Sequence, residues 1–407
     1  MLIAFIALPA ILGAQTQVAN SSFSLMRSSD DGIQLRFQLP TWRLEETIDD
    51  GITRQRVKME GVPYLYLDET ETLPVFSTSI AIPYQGGVSL EISNTASQTQ
   101  AMDGTDFDVL LSRERTSGRH PQQMYPAQSV IVGEPMIMRD FRIVHINVHP
   151  FQYDQDARQL QVNESVDIVL NFNTLPSINE MEAPSSYSSV FEPLYRDLIL
   201  NYEQALNRNA SFSTPRMLVI WGNNNDTIYQ NKVNEYVDWK KQRGFIVSAV
   251  STATTGTSSS AIKTYIQTQY NNTATRPDYV VLIGDSGTGN MQIPTFSSYV
   301  DYEYTWLEGN DQLGDVIIGR ISVENTAHII NYMAKVAYME KNLNLNNSAF
   351  LDRMVLVGDV DHNSGISTIY TNEYVADISS AVNPDYTYSK EYGSNVSHHN
   401  INTAINQ

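Results

Sequence analysis

The sequence predicts an N-terminal antiparallel β domain, sandwich-like, followed by a three-layer α/β domain with a mostly parallel sheet. Three observations carry that expectation. Between about Asn20 and Phe172 apolar residues alternate with polar ones, as where Val166, Ile168, Leu170 and Phe172 bracket Asp167 and Asn171, which is the period of a half-buried strand. Pro63, Pro74, Pro83, Pro121, Pro126, Pro135 and Pro150 punctuate the same stretch, a spacing long helices do not tolerate. After Met217 short apolar runs alternate with helical stretches of about 10–15 residues, the pattern of parallel strands joined by crossover helices.

Taken in order, residues 1–14 form an apolar run that breaks abruptly at Gln15-Thr16-Gln17. Its length suits a signal-peptide core rather than a bilayer span, and Gly13 and Ala14 suit a cleavage site, although no basic residues precede the run. Export is the expectation, with a buried N-terminal strand as the alternative. The β-rich domain is expected over 20–206, ending in a looser helical stretch near 192–205. Residues 207–215 are small, polar and aperiodic, as a linker is, and Arg208 there offers a processing point to a protease that cuts after arginine.

The α/β domain is expected over 216–407. Strands read at 217–220, 245–250, 279–283, 316–318 and 354–357. Val233, Tyr236, Val237 and Lys240 have helical spacing up to a stop at Gly244. Ser258 to Ser260 caps a helix to about residue 269, Thr326 caps one to about 341, and another covers 368–381. No later segment reaches the roughly 18 consecutive apolar residues of a membrane helix.

Composition excludes several functions. Lys plus Arg is 26 against 45 Asp plus Glu, a net charge of −19 with no basic stripe, so nucleic acid and anionic membrane are poor partners. Cysteine is absent, so these 407 residues contain no disulfide, thiolate metal site or cysteine nucleophile. There is no Gly-x-Ser-x-Gly elbow and no His-Glu-x-x-His helix. Gly284-Asp285-Ser286-Gly287-Thr288-Gly289 lacks the Lys-Ser/Thr of a phosphate loop and the glycine spacing of a dinucleotide fold.

Chemistry in a parallel sheet collects beyond the carboxyl ends of its strands. Asp285, Asp359 and Asp361 follow strand ends there, each able to bind a cation, orient a histidine or cap a turn. His145, His149, His328, His362 and His398-His399 lack spaced partners. The acidic stretch 301–315 contains Glu303, Glu308, Asp311 and Asp315 around Gly309 and Gly314; Asp311 and Asp315 are candidate calcium ligands in a flexible loop, the alternative being a solvated acidic loop.

The second domain resembles the gingipain-type cysteine peptidases, secreted bacterial enzymes with a caspase-like catalytic domain. The resemblance rests on an ordered series: Val237-Asp238-Trp239-Lys240-Lys241-Gln242-Arg243-Gly244, Tyr279-Val280-Val281-Leu282-Ile283-Gly284-Asp285, Gly309-Asn310-Asp311, Asp315-Val316-Ile317-Ile318-Gly319-Arg320-Ile321-Ser322-Val323-Glu324, and Tyr338-Met339-Glu340. The first domain is similar to the family's propeptide at Gly61-Val62-Pro63-Tyr64, Leu73-Pro74-Val75, Val148-His149-Pro150-Phe151-Gln152-Tyr153 and Leu160-Gln161-Val162.

That resemblance implies a secreted or cell-surface proenzyme whose propeptide contacts the catalytic domain in cis, with protein or peptide substrates and no required cofactor, calcium being the open case. The family's dyad is a histidine in a Gly-His-Gly-like strand end and a cysteine some way beyond. Residues 401–407 look like the segment before that strand, so the dyad is absent and this chain is expected to be inactive alone, an apparently truncated domain. Asp361 aligns with an acid that orients the histidine, with Asp359 as the alternative and turn capping as the competing role for Asp361. Ile369 stands where arginine-specific members carry an aspartate, so basic P1 specificity is not supported. The loop Ser112-Arg113-Glu114-Arg115-Thr116-Ser117-Gly118-Arg119 either occupies the cleft or is a solvated turn. The competing reading is a non-catalytic exported scaffold or binding protein with a gingipain-like fold.

Overall fold

The computed structural model describes residues 22–49, 52–59, 73–102, 106–107, 124–154, 156–207, 209–287, 289, 291–296, 300–341, 349–358 and 368–392. The apolar run 1–14, the loop 112–119, Arg208, Asp359, Asp361, His362, His398, His399 and the segment 401–407 lie outside them. No helix among the described residues is long and apolar enough to cross a membrane.

In the first part, the 15-residue strand Gln159–Asn173 organises a six-stranded sheet. It pairs antiparallel with Gly87–Ala101 along one side, and with Gly32–Gln38 and Phe151–Asp154 along the other. A four-stranded sheet is built on Phe141–Val148, which pairs antiparallel with Met136–Met138, Phe76–Ala81 and Val130–Val132. The two sheets share a core: Leu160, Val162, Val166, Ile168 and Leu170 cluster with Ile80, Val144, Ile146 and Val148, and the Phe37 and Phe76 rings lie 5.1 Å apart. Each such side chain stabilises by about 1.5–3 kcal/mol when buried, so the alternation selects which strand face turns inward. The helices Glu192–Leu198 and Tyr202–Ala205 follow, and Tyr187–Ser188 pairs in parallel with Phe212–Ser213 inside the polar segment 207–215.

The second part holds a parallel sheet in the order Ile246–Ser251, Arg216–Trp221, Tyr279–Ile283, Ile317–Ile321. Helices cover both faces. Met217 and Val219 pack with Tyr229, Val233, Tyr236 and Val237 of helix Thr227–Gln242 and with Ile329 and Met333 of helix Thr326–Val336. Leu218, Ile220, Val280 and Leu282 pack with Ile262, Ile266 and Tyr270 of helix Ser259–Asn271. Burial on both faces explains why the central strands Arg216–Trp221 and Tyr279–Ile283 read as apolar runs, while the edge strand Ile246–Ser251 is largely exposed and mixes in serines.

Details depart from the sequence reading. The strand expected at 316–318 runs Ile317–Ile321. Ser258 caps its helix, accepting Ala261 N at 3.2 Å. Thr326 does not cap its own: Asn325 Oδ1 accepts His328 N at 3.1 Å, while the Thr326 hydroxyl donates to Asp226. The α-helix ends at Val336 and continues as a π-helical turn, Ala337–Lys341.

A separate unit contains the parallel pair Arg353–Gly358 and Thr387–Tyr392 with the helix Thr368–Val382 between them in sequence. Asn372 Nδ2 donates to Val357 O at 2.8 Å and the Tyr388 hydroxyl to Ala376 O at 3.1 Å, holding this βαβ unit together.

Candidate functional site

The strand order makes Arg216–Trp221 and Tyr279–Ile283 the place where the chain's crossovers diverge to opposite sides. In an open parallel sheet the crevice beyond the carboxyl ends of two such strands is where ligands gather. Here that edge is laid out largely by main chain. Gly222 N donates to Ile283 O at 3.0 Å, Gly284 N to Ile321 O at 3.0 Å, and Asp285 N to Val323 O at 3.1 Å. The segment 291–293 lies directly against it, with Ile293 N donating to Asp285 O at 2.8 Å. A Cβ on Gly222 would stand 2.4 Å from Met291 O, so glycine is required there for close approach rather than for its dihedral freedom.

Arg320, near the end of strand Ile317–Ile321, ties this edge together. Its guanidinium donates to Gly284 O at 2.9 Å and Ile293 O at 2.7 Å, and grips the Asp301 carboxylate bidentately at 2.8 and 2.6 Å. One cation thus holds three loop positions, which the planar five-donor fork of arginine permits and lysine does not.

Asp285 sits in the middle. Its carboxylate accepts the Ser322 hydroxyl and, at 2.8 Å, Gly287 N. The Ser322 bond, then the Gly287 amide, hold its pKa below the usual carboxylate range. Asp226 caps helix Thr227–Gln242 through Ile228 N at 2.8 Å and also accepts the Thr326 hydroxyl, which with that amide lowers its pKa. Both carboxylates are therefore ionised acceptors engaged with their own surroundings, weak as bases near neutrality. Of the roles open to Asp285, the geometry satisfies turn capping. His328 is occupied at its helix start, where Glu324 N approaches Nδ1 at 3.4 Å.

The remaining predicted residues fall elsewhere. Asp311 Oδ2 accepts Ile137 N at 2.8 Å and Asn179 Nδ2 at 3.3 Å, and its Oδ1 accepts Leu313 N at 2.9 Å. Asp315 is fully buried; its Oδ2 accepts Leu307 N and Glu308 N, each at 2.8 Å, and burial raises its pKa to about 7. The two carboxylates thus serve different partners, and among the described residues no group of three or more metal-ligating side chains occurs. His145 lies in the β domain with Nδ1 2.9 Å from Ser79 Oγ, and burial lowers its pKa.

Two residues escaped the sequence reading. Arg139 and Asp278 form an ion pair at 2.8 Å in which both side chains are almost wholly buried. They are 139 positions apart, and no local pattern could have paired them.

The comparisons bear on the same two parts. The propeptide model of family C25 matches residues 116–209, and the model described as Peptidase family C25 matches 210–407. Gingipain R1 of Porphyromonas gingivalis is 22% identical over 346 residues, covering 81% of this chain and 34% of its own. Lys-gingipain W83 of the same organism is 26% identical over 265 residues, 63% of this chain and 14% of its own. The chain therefore spans a third or so, or less, of these relatives' lengths. Among solved structures, the complex of Porphyromonas gingivalis RgpB pro- and mature domains has 16% identity, a TM-score of 0.36, and coverage of 45% of this chain and 98% of its own. The Arg-specific cysteine proteinase gingipain R has 21% identity, a TM-score of 0.39, and coverage of 47% and 44%. With the two family matches meeting at 209/210 and running without a gap from 116 to 407, the chain belongs to the gingipain-type C25 peptidases and carries propeptide and peptidase sequence.

Proposed function

We propose that the protein is the proenzyme of an exported, gingipain-like cysteine endopeptidase acting on protein or peptide substrates. The observation that carries this reading is the order of the two family matches, propeptide and then peptidase. The β domain acts as a latency module in cis, with Arg208 in the connecting segment as the processing point. The thiol nucleophile and its histidine partner come from outside these 407 residues, which contain no cysteine. Asp361, or Asp359, orients that histidine by fixing its tautomer and stabilising its protonated form.

Two measurements test this. Sequencing the DNA beyond the codon for Gln407 is expected to reveal a Gly-His-Gly strand end and a later cysteine; an immediate stop codon overturns the peptidase reading. The lack of cysteine would then favour an exported binding scaffold of the same fold. Separately, the purified 407-residue chain is expected to show no thiol-dependent hydrolysis of peptides, and E-64-sensitive cleavage by it would refute the assignment of the nucleophile.

A further inference from the structure

Opposite the carboxyl edge, the amino-terminal edge of the parallel sheet holds a second built site. The strands Met136–Met138 and Phe141–Val148 pair Met138 with Phe141, leaving Arg139 and Asp140 as a two-residue turn. Arg139 has φ +52°, a left-handed conformation that glycine adopts freely and a long side chain adopts at a cost of about 1 kcal/mol. Such strain persists where the surroundings over-determine it. Here the surroundings are a socket in the α/β domain. Arg139 Nη1 donates to Pro277 O at 2.9 Å and Asp315 O at 2.6 Å, Nη2 donates to Asp278 Oδ1 at 2.8 Å, and the Tyr270 ring lies 5.6 Å from the guanidinium carbon.

The socket is held from its own side. Asp278 Oδ2 accepts Arg216 N at 2.8 Å, and Asp278 leads directly into strand Tyr279–Ile283. Asp278 is 1% exposed and Arg139 2%. A carboxylate this deeply buried requires a cation with several donors, and a guanidinium meets it with directional bonds to carboxylate and carbonyls together.

We propose that the amino-terminal edge of the α/β domain is a guanidinium-binding site for an arginine-tipped hairpin, and that Arg139 latches the β domain there after the connecting segment is cut. The latch is distinct from whatever lies over the carboxyl edge, because its partners flank the amino ends of strands Arg216–Trp221, Tyr279–Ile283 and Ile317–Ile321. It is extended by Asp311, which accepts Ile137 N from the same hairpin, and by the pairing of Tyr187–Ser188 with Phe212–Ser213. Cutting within 207–210 leaves all of these contacts in place.

The inference rests on the two-part reading of the chain but not on peptidase activity, and the experiment separates the two. Residues 207–210 are replaced by a site-specific endoprotease sequence, so the cut does not depend on natural processing. With Arg139 present, the two pieces are expected to co-elute after cutting. With Arg139→Ala the dissociation constant should rise at least about a hundredfold, as for loss of one partner of a buried pair, and Arg139→Lys should fall between. Millimolar methylguanidinium should restore part of the association of the Arg139→Ala pieces, and methylammonium at equal concentration should not. Unchanged association in Arg139→Ala, or equal effects of the two cations, overturns the proposal. If Arg139→Ala fails to fold, Asp311→Ala, which removes an acceptor from the same face, should raise the dissociation constant about tenfold; no change there overturns the latch equally.

Discussion

Stability should fall as pH rises through the neutral range, and Asp315 is the group to isolate. Burial raises its pKa from an ordinary 3.8 to about 7, so between those values the folded chain holds a proton that the unfolded chain has released. The stabilising contribution is fully present below about pH 4 and lost above about pH 7. Roughly three pH units at about 1.4 kcal/mol each set an upper bound of about 4 kcal/mol. Asp315→Asn keeps an oxygen to accept Leu307 N and Glu308 N while removing the titration; its amide nitrogen takes the place of Oδ1, which has no hydrogen-bond partner, at about 1–3 kcal/mol. Urea unfolding of both proteins at pH 5 and pH 8.5 should show the variant gaining up to about 3 kcal/mol relative to the parent across that interval, the part of the change between pH 5 and the raised pKa of about 7. A difference between the two proteins that does not change with pH would refute the reasoning.

Three further outcomes follow from the geometry. Gly222→Ala drives a methyl into Met291 O and should destabilise by about 1–3 kcal/mol, read by denaturant midpoint, with greater protease sensitivity near 291–301. Asp226→Ala removes the cap of helix Thr227–Gln242 and the Thr326 bond; because these partners lower the Asp226 pKa, the loss in melting temperature should be full at neutral pH and fade as pH falls below about 4. Millimolar calcium should leave the melting temperature unchanged, since Asp311 and Asp315 are already engaged by backbone amides; a rise would establish a site in the 301–315 stretch.

The elements themselves were largely legible, and the exceptions have local causes. Alternation around Val166–Phe172 and the apolar run Tyr279–Ile283 announced strands because burial of one face or both writes a period into the sequence. Ser258 is legible as a cap because its partner, Ala261 N, lies three residues on. Helix Thr326–Val336 is capped by Asn325, one residue before the expected Thr326, because both residues are competent and only the fold turns the Thr326 hydroxyl toward Asp226, a hundred positions away. Asp285 was legible as a carboxylate at a strand end, but Ser322, which occupies it, arrives from the next strand.

By itself, the sequence determined the β-rich texture of the first part, the alternation of strands and helices in the second, the absence of any thiol, the acidic composition and the family likeness, because composition, periodicity and motif order are properties of neighbours along the chain. Only the tertiary structure decided which carboxylates are occupied, which arginines act as staples, and that Arg139 inserts beneath the parallel sheet. Those outcomes depend on groups more than a hundred residues apart meeting in a space from which water is excluded. Desolvation there makes an unpaired charge too costly to persist, and a linear pattern of residues does not record it.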